Sequence, residues 1–159
     1  MKAVLLTKHG GPEMLSLDEV PDPIASPGDV VVDIYAASVN AADYKVRLGR
    51  GRYELKQFPH ILGRDFSGVV SALGANVTDF VAGDAVFGVT DQGIEGAYAE
   101  KIAIKAAIIA KKPDHLSHED GRTSYRRISN TCAERWCALH HALAGRKAVL
   151  HRFRCGSYW

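Results

Sequence analysis

Pro27-Gly28-Asp29-Val30-Val31-Val32-Asp33-Ile34-Tyr35-Ala36-Ala37 is the stretch on which the fold turns. A Pro-Gly pair marks a turn, and the run after it is rich in β-branched residues, which suit a pleated backbone. Val30, Val31 and Val32 are continuous rather than alternating, so a strand over Asp29–Ala37 with both faces covered is predicted. Just beyond it, Asn40 stands where a helix N-cap is wanted and Gly49 where a left-handed residue ends the last turn. Together they predict a short helix over Ala41–Leu48.

On both sides of this unit the chain is punctuated by turns such as Gly10-Gly11-Pro12, Pro21-Asp22-Pro23 and Gly83-Asp84. Lys2–Thr7 and Met14–Val20 read as strands around the first turn. Phe66–Leu73, Ala85–Val89, Tyr98–Ile104 and Ala107–Ala110 complete a set of seven. Short strands at this spacing predict a mainly β fold with short helices, a small barrel or sandwich that protects its edges.

The composition is that of a folded domain, 47% hydrophobic and 24% charged in 159 residues. No apolar run approaches a membrane span, and the opening Met1–Leu6 run ends too early for a secretory leader, so a cytoplasmic protein is expected. The net charge of +2 hides an uneven distribution. Residues 1–120 carry 12 Lys/Arg against 17 Asp/Glu, and residues 121–159 carry 8 against 1. All three cysteines (Cys132, Cys137, Cys155) and both tryptophans (Trp136, Trp159) fall in that tail. A body without cysteine has no disulfide framework and no thiolate-bound metal. In the tail, Cys132, Trp136, Leu139 and Leu143 share one helical face, which predicts a helix near 131–144. The spacing of Cys132, Cys137, His140, His141 and Cys155 matches no closed zinc site. The basic tail is a weak footprint for nucleic acid, and none is expected as a partner.

Five motifs in order carry a family resemblance. They are Pro27–Val32; Ser38-Val39-Asn40-Ala41-Ala42-Asp43-Tyr44-Lys45-Val46-Arg47-Leu48-Gly49; Pro59–Val70 around Gly63-Arg64-Asp65; Val77–Gly88; and Gly96-Ala97-Tyr98-Ala99-Glu100. With them the chain resembles, over residues 1–118, the GroES-like N-terminal catalytic domain of the medium-chain dehydrogenase/reductase superfamily. Its zinc-independent quinone oxidoreductase branch is the nearest in pattern. The resemblance implies a partly open β-barrel, NADPH as hydride source and a small quinone or enone as substrate. It also places Asn40, Asp43, Lys45 and Arg47 in the catalytic cleft, with Asn40 and Lys45 against the nicotinamide. There Asn40 would donate to a carbonyl or amide, and Lys45 would steady an enolate oxygen.

Simpler readings of the same residues stay open. Asn40 also fits an N-cap, Asp43 and Arg47 fit an i,i+4 surface pair, and Lys45 fits a solvated side chain. Arg64 and Asp65 fit a structural role, and Phe87 and Tyr98 fit core positions. Where zinc-dependent relatives have a thiolate, a histidine and a glutamate, this sequence has Asn40, Arg64 and Asp65, so no zinc is expected.

A Rossmann domain needs a glycine-rich turn against the cofactor pyrophosphate, and no Gly-x-Gly-x-x-Gly occurs in the 159 residues. The expectation is therefore a substrate-side domain (1–118) followed by an atypical tail (119–159), read as a frameshift because its composition breaks where the resemblance stops. Alone it is expected to be inactive. The alternative is a stand-alone GroES-like interaction module without catalysis, self-associating through the face that a cofactor domain would cover.

Overall fold

A computed structural model describes residues 1–50, 53–91 and 93–121. The tail helix expected near 131–144 lies outside the described residues, as do all three cysteines.

The described chain is built from two antiparallel sheets. The smaller has strand order β2-β1-β4, from β1 (Lys2–Leu6), β2 (Leu15–Glu19) and β4 (His60–Ile61). The larger has order β7-β3-β5-β6-β8, from β3 (Asp29–Ala37), β5 (Asp65–Leu73), β6 (Ala85–Val89), β7 (Lys101–Lys105) and β8 (Ile109–Lys111). Its end strands β7 and β8 do not pair with each other, so the barrel is partly open. Helix α1 (Ala41–Leu48) follows β3 directly, and a one-turn helix, α2 (His118–Gly121), closes the described region.

The valine run behaves as its sequence predicts. Val30, Val31 and Val32 are all buried, and β3 is hydrogen-bonded on both sides, to β5 and to β7. Val30 and Val32 enter the main core with Phe66, Val86, Ile102 and Ile104. A second, smaller core joins Leu6 of β1, Val46 of α1 and Leu62, with Tyr98 packed against it. Phe87 is buried, as its core reading requires.

The boundaries differ from the expected ones where tertiary pairing intervenes. The run from Tyr98 changes partner along its length. Val4 N–H donates to the Tyr98 carbonyl at 2.8 Å, Glu100 N–H donates to the Lys2 carbonyl at 3.0 Å, and Ala3 bridges Ala99. From Glu100, whose carbonyl accepts the Ile34 N–H at 2.8 Å, the run bonds to β3. Residues 98–105 therefore stitch the small sheet to the large one. Near the end, a 3-10 turn over Ala106–Ile108 delays β8 to Ile109.

Helix α2 spans the boundary expected between 118 and 119. Ser117 caps it through a reciprocal pair: Asp120 N–H donates to Ser117 Oγ at 3.1 Å, and Ser117 Oγ donates to the Asp120 carboxylate at 2.9 Å. His118 Nδ1 lies 2.7 Å from the buried Ser67 Oγ, and its ring stacks on Tyr35. Burial, with help from Lys112, lowers the His118 pKa.

Candidate functional site

The helix predicted at Ala41–Leu48 forms over those residues, with Asn40 extended at φ −118° and Gly49 left-handed at φ +64°. Asn40 and Asp43 form a capping box, in which the Asn40 backbone N–H donates to Asp43 Oδ2 at 2.6 Å. Capping is only part of the work of Asn40. Its side-chain Nδ2 donates to Asp65 Oδ2 at 2.7 Å and to Ser38 Oγ at 3.0 Å. The Asn40 side-chain oxygen takes the Asp43 N–H of the capping box, and this fixes the orientation of the amide. Ser38 Oγ donates in turn to Asp65 Oδ2 at 2.8 Å.

Tyr98 completes the cluster from the far side. Its hydroxyl donates to Asp43 Oδ2 at 2.9 Å. Burial and the neighbouring Asp43 carboxylate push the phenol pKa well above its ordinary value. Asp43 is only 4% exposed, and its second oxygen, Oδ1, is enclosed without a hydrogen-bond partner. It is therefore no surface partner of Arg47, and among the described residues no ion pair joins the two.

The four residues named from the resemblance separate into two groups. Asn40 and Asp43 lie in the cluster. Lys45 Nζ sits 5.9 Å from the centroid of the Tyr53 ring, and Arg47 donates to the Gly10 carbonyl. Arg64 is structural, with Nε and Nη2 donating to the Thr90 carbonyl at 3.1 and 2.8 Å. Asp65 accepts from both Ser38 and Asn40. Ser38, Asp65 and Tyr98 were missed as members of one site because only the fold joins them to Asn40 and Asp43.

The loop carrying Tyr98 is braced below the cluster. Gly96 and Ala97 N–H both donate to the Gly63 carbonyl at 3.0 Å, and Tyr98 N–H donates to Leu62 at 2.9 Å. His60 Nε2 bonds Glu95 Oε2 at 3.0 Å, and the Glu95 side chain is fully buried. Burial by itself would raise the Glu95 pKa, but the bonds from His60 and from Gly93 N–H outweigh it and lower the value. A depressed carboxyl stabilises the fold above its unfolded-state pKa and loses that contribution as pH falls through the folded one. Glu95→Gln should therefore flatten the acid limb of stability. Urea midpoints compared between pH 7 and pH 4 test this, and an acid limb as steep as that of the parent would exclude Glu95 as a source.

The chain matches the alcohol dehydrogenase GroES-like domain family over residues 26–114. It belongs to the medium-chain dehydrogenase/reductase superfamily. The described barrel is the GroES-like domain of that superfamily. Among curated relatives, the quinone oxidoreductase of Pongo abelii is 30% identical over 160 residues, covering 95% of this chain and 45% of the relative. Among solved structures, the quinone oxidoreductase from Coxiella burnetii superposes with a TM-score of 0.75 at 33% identity, covering 79% of this chain and 41% of that one. The Escherichia coli quinone oxidoreductase complexed with NADPH superposes at 0.73 with 26% identity, covering 90% and 40%. The GroES-like chain thus spans less than half the length of each. Among its described residues no helix is long and apolar enough to cross a membrane.

Proposed function

We propose that this chain supplies the substrate-side domain of an NADPH-dependent, zinc-independent reductase of quinones or enones. The corner made by Asn40, Arg64 and Asp65 carries the reading. By resemblance, these positions hold the metal ligands of zinc-dependent relatives. Zinc needs lone pairs from sulfur, nitrogen or oxygen. Arg64 has none to give, and its guanidinium is engaged with Thr90. The Asn40 nitrogen is directed at Ser38 and Asp65. This donor set does not fit zinc, so polarisation of a carbonyl has to come from side chains.

Asn40, Asp43, Lys45 and Arg47 are the proposed cleft residues, with Asn40 and Lys45 on the nicotinamide side. The quinone oxidoreductases similar to this chain, one of them complexed with NADPH, support the cofactor and substrate class. The hydride chemistry belongs to the cofactor, and the domain orients the acceptor and shapes the field around it. A chimera carrying this domain on the cofactor domain of the Escherichia coli relative should reduce quinones. A folded chimera that binds NADPH and reduces none would sink the reading.

Residues 1–118 are proposed as the catalytic-type domain and 119–159 as an atypical tail produced by a frameshift. The nucleotide sequence tests the frameshift: the alternative frames beyond codon 120 should encode a glycine-rich nucleotide loop. Without such a loop, the 159-residue chain should give no saturable NADPH binding up to roughly 1 mM, the upper end of ordinary cofactor and substrate affinities. Fluorescence titration checks this, and micromolar binding would overturn it.

A second reading, a stand-alone interaction module, draws on Val39 and Tyr44. These flank the cluster at 84% and 50% exposure, an apolar rim suited to a partner or a second copy. Gel filtration with Val39→Asp distinguishes the two, because a self-associating module should become monomeric.

A further inference from the structure

The hydrogen bonds of the cluster leave it with acceptors and no donors. The single hydroxyl hydrogen of Ser38 goes to Asp65, and the two amide hydrogens of Asn40 go to Ser38 and Asp65. The hydroxyl hydrogen of Tyr98 goes to Asp43, as does the main-chain N–H of Asn40. Two oxygens remain. Asp43 Oδ1 is enclosed and without a partner, and Asp65 Oδ1 takes none of the described hydrogen bonds. Such a cluster has nothing to offer a substrate carbonyl, which needs a donor.

It also lacks a neutralising partner. Asp43 and Asp65 are 4% and 9% exposed and are linked through Asn40. Arg64, the residue beside Asp65, has its guanidinium on Thr90. Two neighbouring carboxylates with no cation bonded to them repel each other, and burial penalises the charge of Asp65. One proton removes the second charge, and it also supplies the missing donor.

We propose that Asp65 carries a proton at neutral pH and presents it, on Oδ1, to the carbonyl of a quinone or enone. Asp43, held by Tyr98 and the Asn40 main chain, is the fixed acceptor that keeps the proton on its neighbour. The charged and titratable groups around Asp65 act in the same direction on balance. Burial pushes its pKa up, Ser38 and Asn40 pull it down, Asp43 pushes it up and Arg64 pulls it down, and the net direction is upward. Tyr98, the remaining titratable group, faces it from the loop and stays a neutral phenol. A carboxylic acid kept neutral by its surroundings is a known way to obtain a hydrogen-bond donor from aspartate.

In use, this inference rests on the reductase reading. When bound, a nicotinamide cofactor would supply a hydride to the ring or β-carbon, which would leave an electron pair on the carbonyl oxygen. The Asp65 O–H bond then breaks and its proton goes to that oxygen. The product is an enol; in a quinone it then loses the added ring C–H proton and takes one up on the second oxygen to become the hydroquinone, and solvent water restores the carboxyl proton.

The test uses the full chain labelled with carboxyl-13C aspartate and titrated by NMR, with Asp65→Asn identifying the resonance. The Asp65 midpoint should lie above the ordinary carboxylate range. It should rise further in Ser38→Ala, which loses a donor, and fall in Asp43→Asn, which loses the neighbouring charge. An Asp65 midpoint inside the ordinary range overturns the proposal, whether or not the Asp43 variant folds. Duroquinone, whose methylated ring resists attack by thiols, should shift the Asp65 resonance, and no shift overturns the donor role. The titration needs no cofactor, so its failure counts against the proton alone. A raised midpoint beside an NADPH-binding chimera that reduces nothing counts against the reductase reading alone.

Discussion

Gly63→Ala is expected to destabilise the domain by about 3 kcal/mol or more and to dismantle the polar cluster with it. Gly63 has φ +89°, where a Cβ brings strain of roughly 1–2 kcal/mol. The added atom would also lie 2.4 Å from Cδ1 of Tyr98, well inside contact distance. The ring must move, and the hydroxyl that donates to Asp43 moves with it. Asp43 would then have an oxygen short of a donor as well as the one already unpartnered. For a domain of this size the loss corresponds to a fall of roughly 10 °C or more in melting temperature. Calorimetry checks the stability, and Tyr98→Phe separates the two contributions. It removes only the hydroxyl, and should give a smaller loss of about 1–2 kcal/mol. Equal losses from both substitutions would show that backbone strain at Gly63 contributes nothing.

Phe66→Ala should produce a loss of similar or larger size, about 3–5 kcal/mol, by a different route. Phe66 is fully buried in the main core, opposite Ala37 on β3 and Gly88 on β6. Glycine at 88 leaves room for the ring, so truncation opens a cavity that neither neighbour can refill. Urea denaturation should show a lower midpoint with an unchanged slope. Asp65 and Ser67 flank Phe66 on the same strand, so local rearrangement would also disturb Asn40 and His118. A loss under about 1 kcal/mol would mean that the barrel collapses around the gap.

Local signals were sufficient where they were strong. The valine run, the Asn40 cap and the Gly49 terminator predicted β3 and α1 to the residue, because each states a backbone preference within a few positions. β4 is two residues long, too short to show any period, and it exists only because Leu5 and Leu6 pair with it. β7 was expected to begin at Tyr98, since nothing in the sequence says that residues 98–100 serve a different sheet. The site divides in the same way. Asn40 and Asp43 are three apart on one helix turn and were legible. Asp65 lies 25 residues from Asn40 and Tyr98 lies 55 from Asp43, so their membership depends on the barrel bringing them together.

The partner change within residues 98–105 has a mechanical consequence. One unbroken segment is bonded to β1 at its start and to β3 at its end, so neither sheet can slide past the other without tearing both ladders. Amide exchange should find the backbone protons of β1 and β3 opening together as one cooperative block. The described strands β1 and β3 should therefore respond to a load as one stiff body.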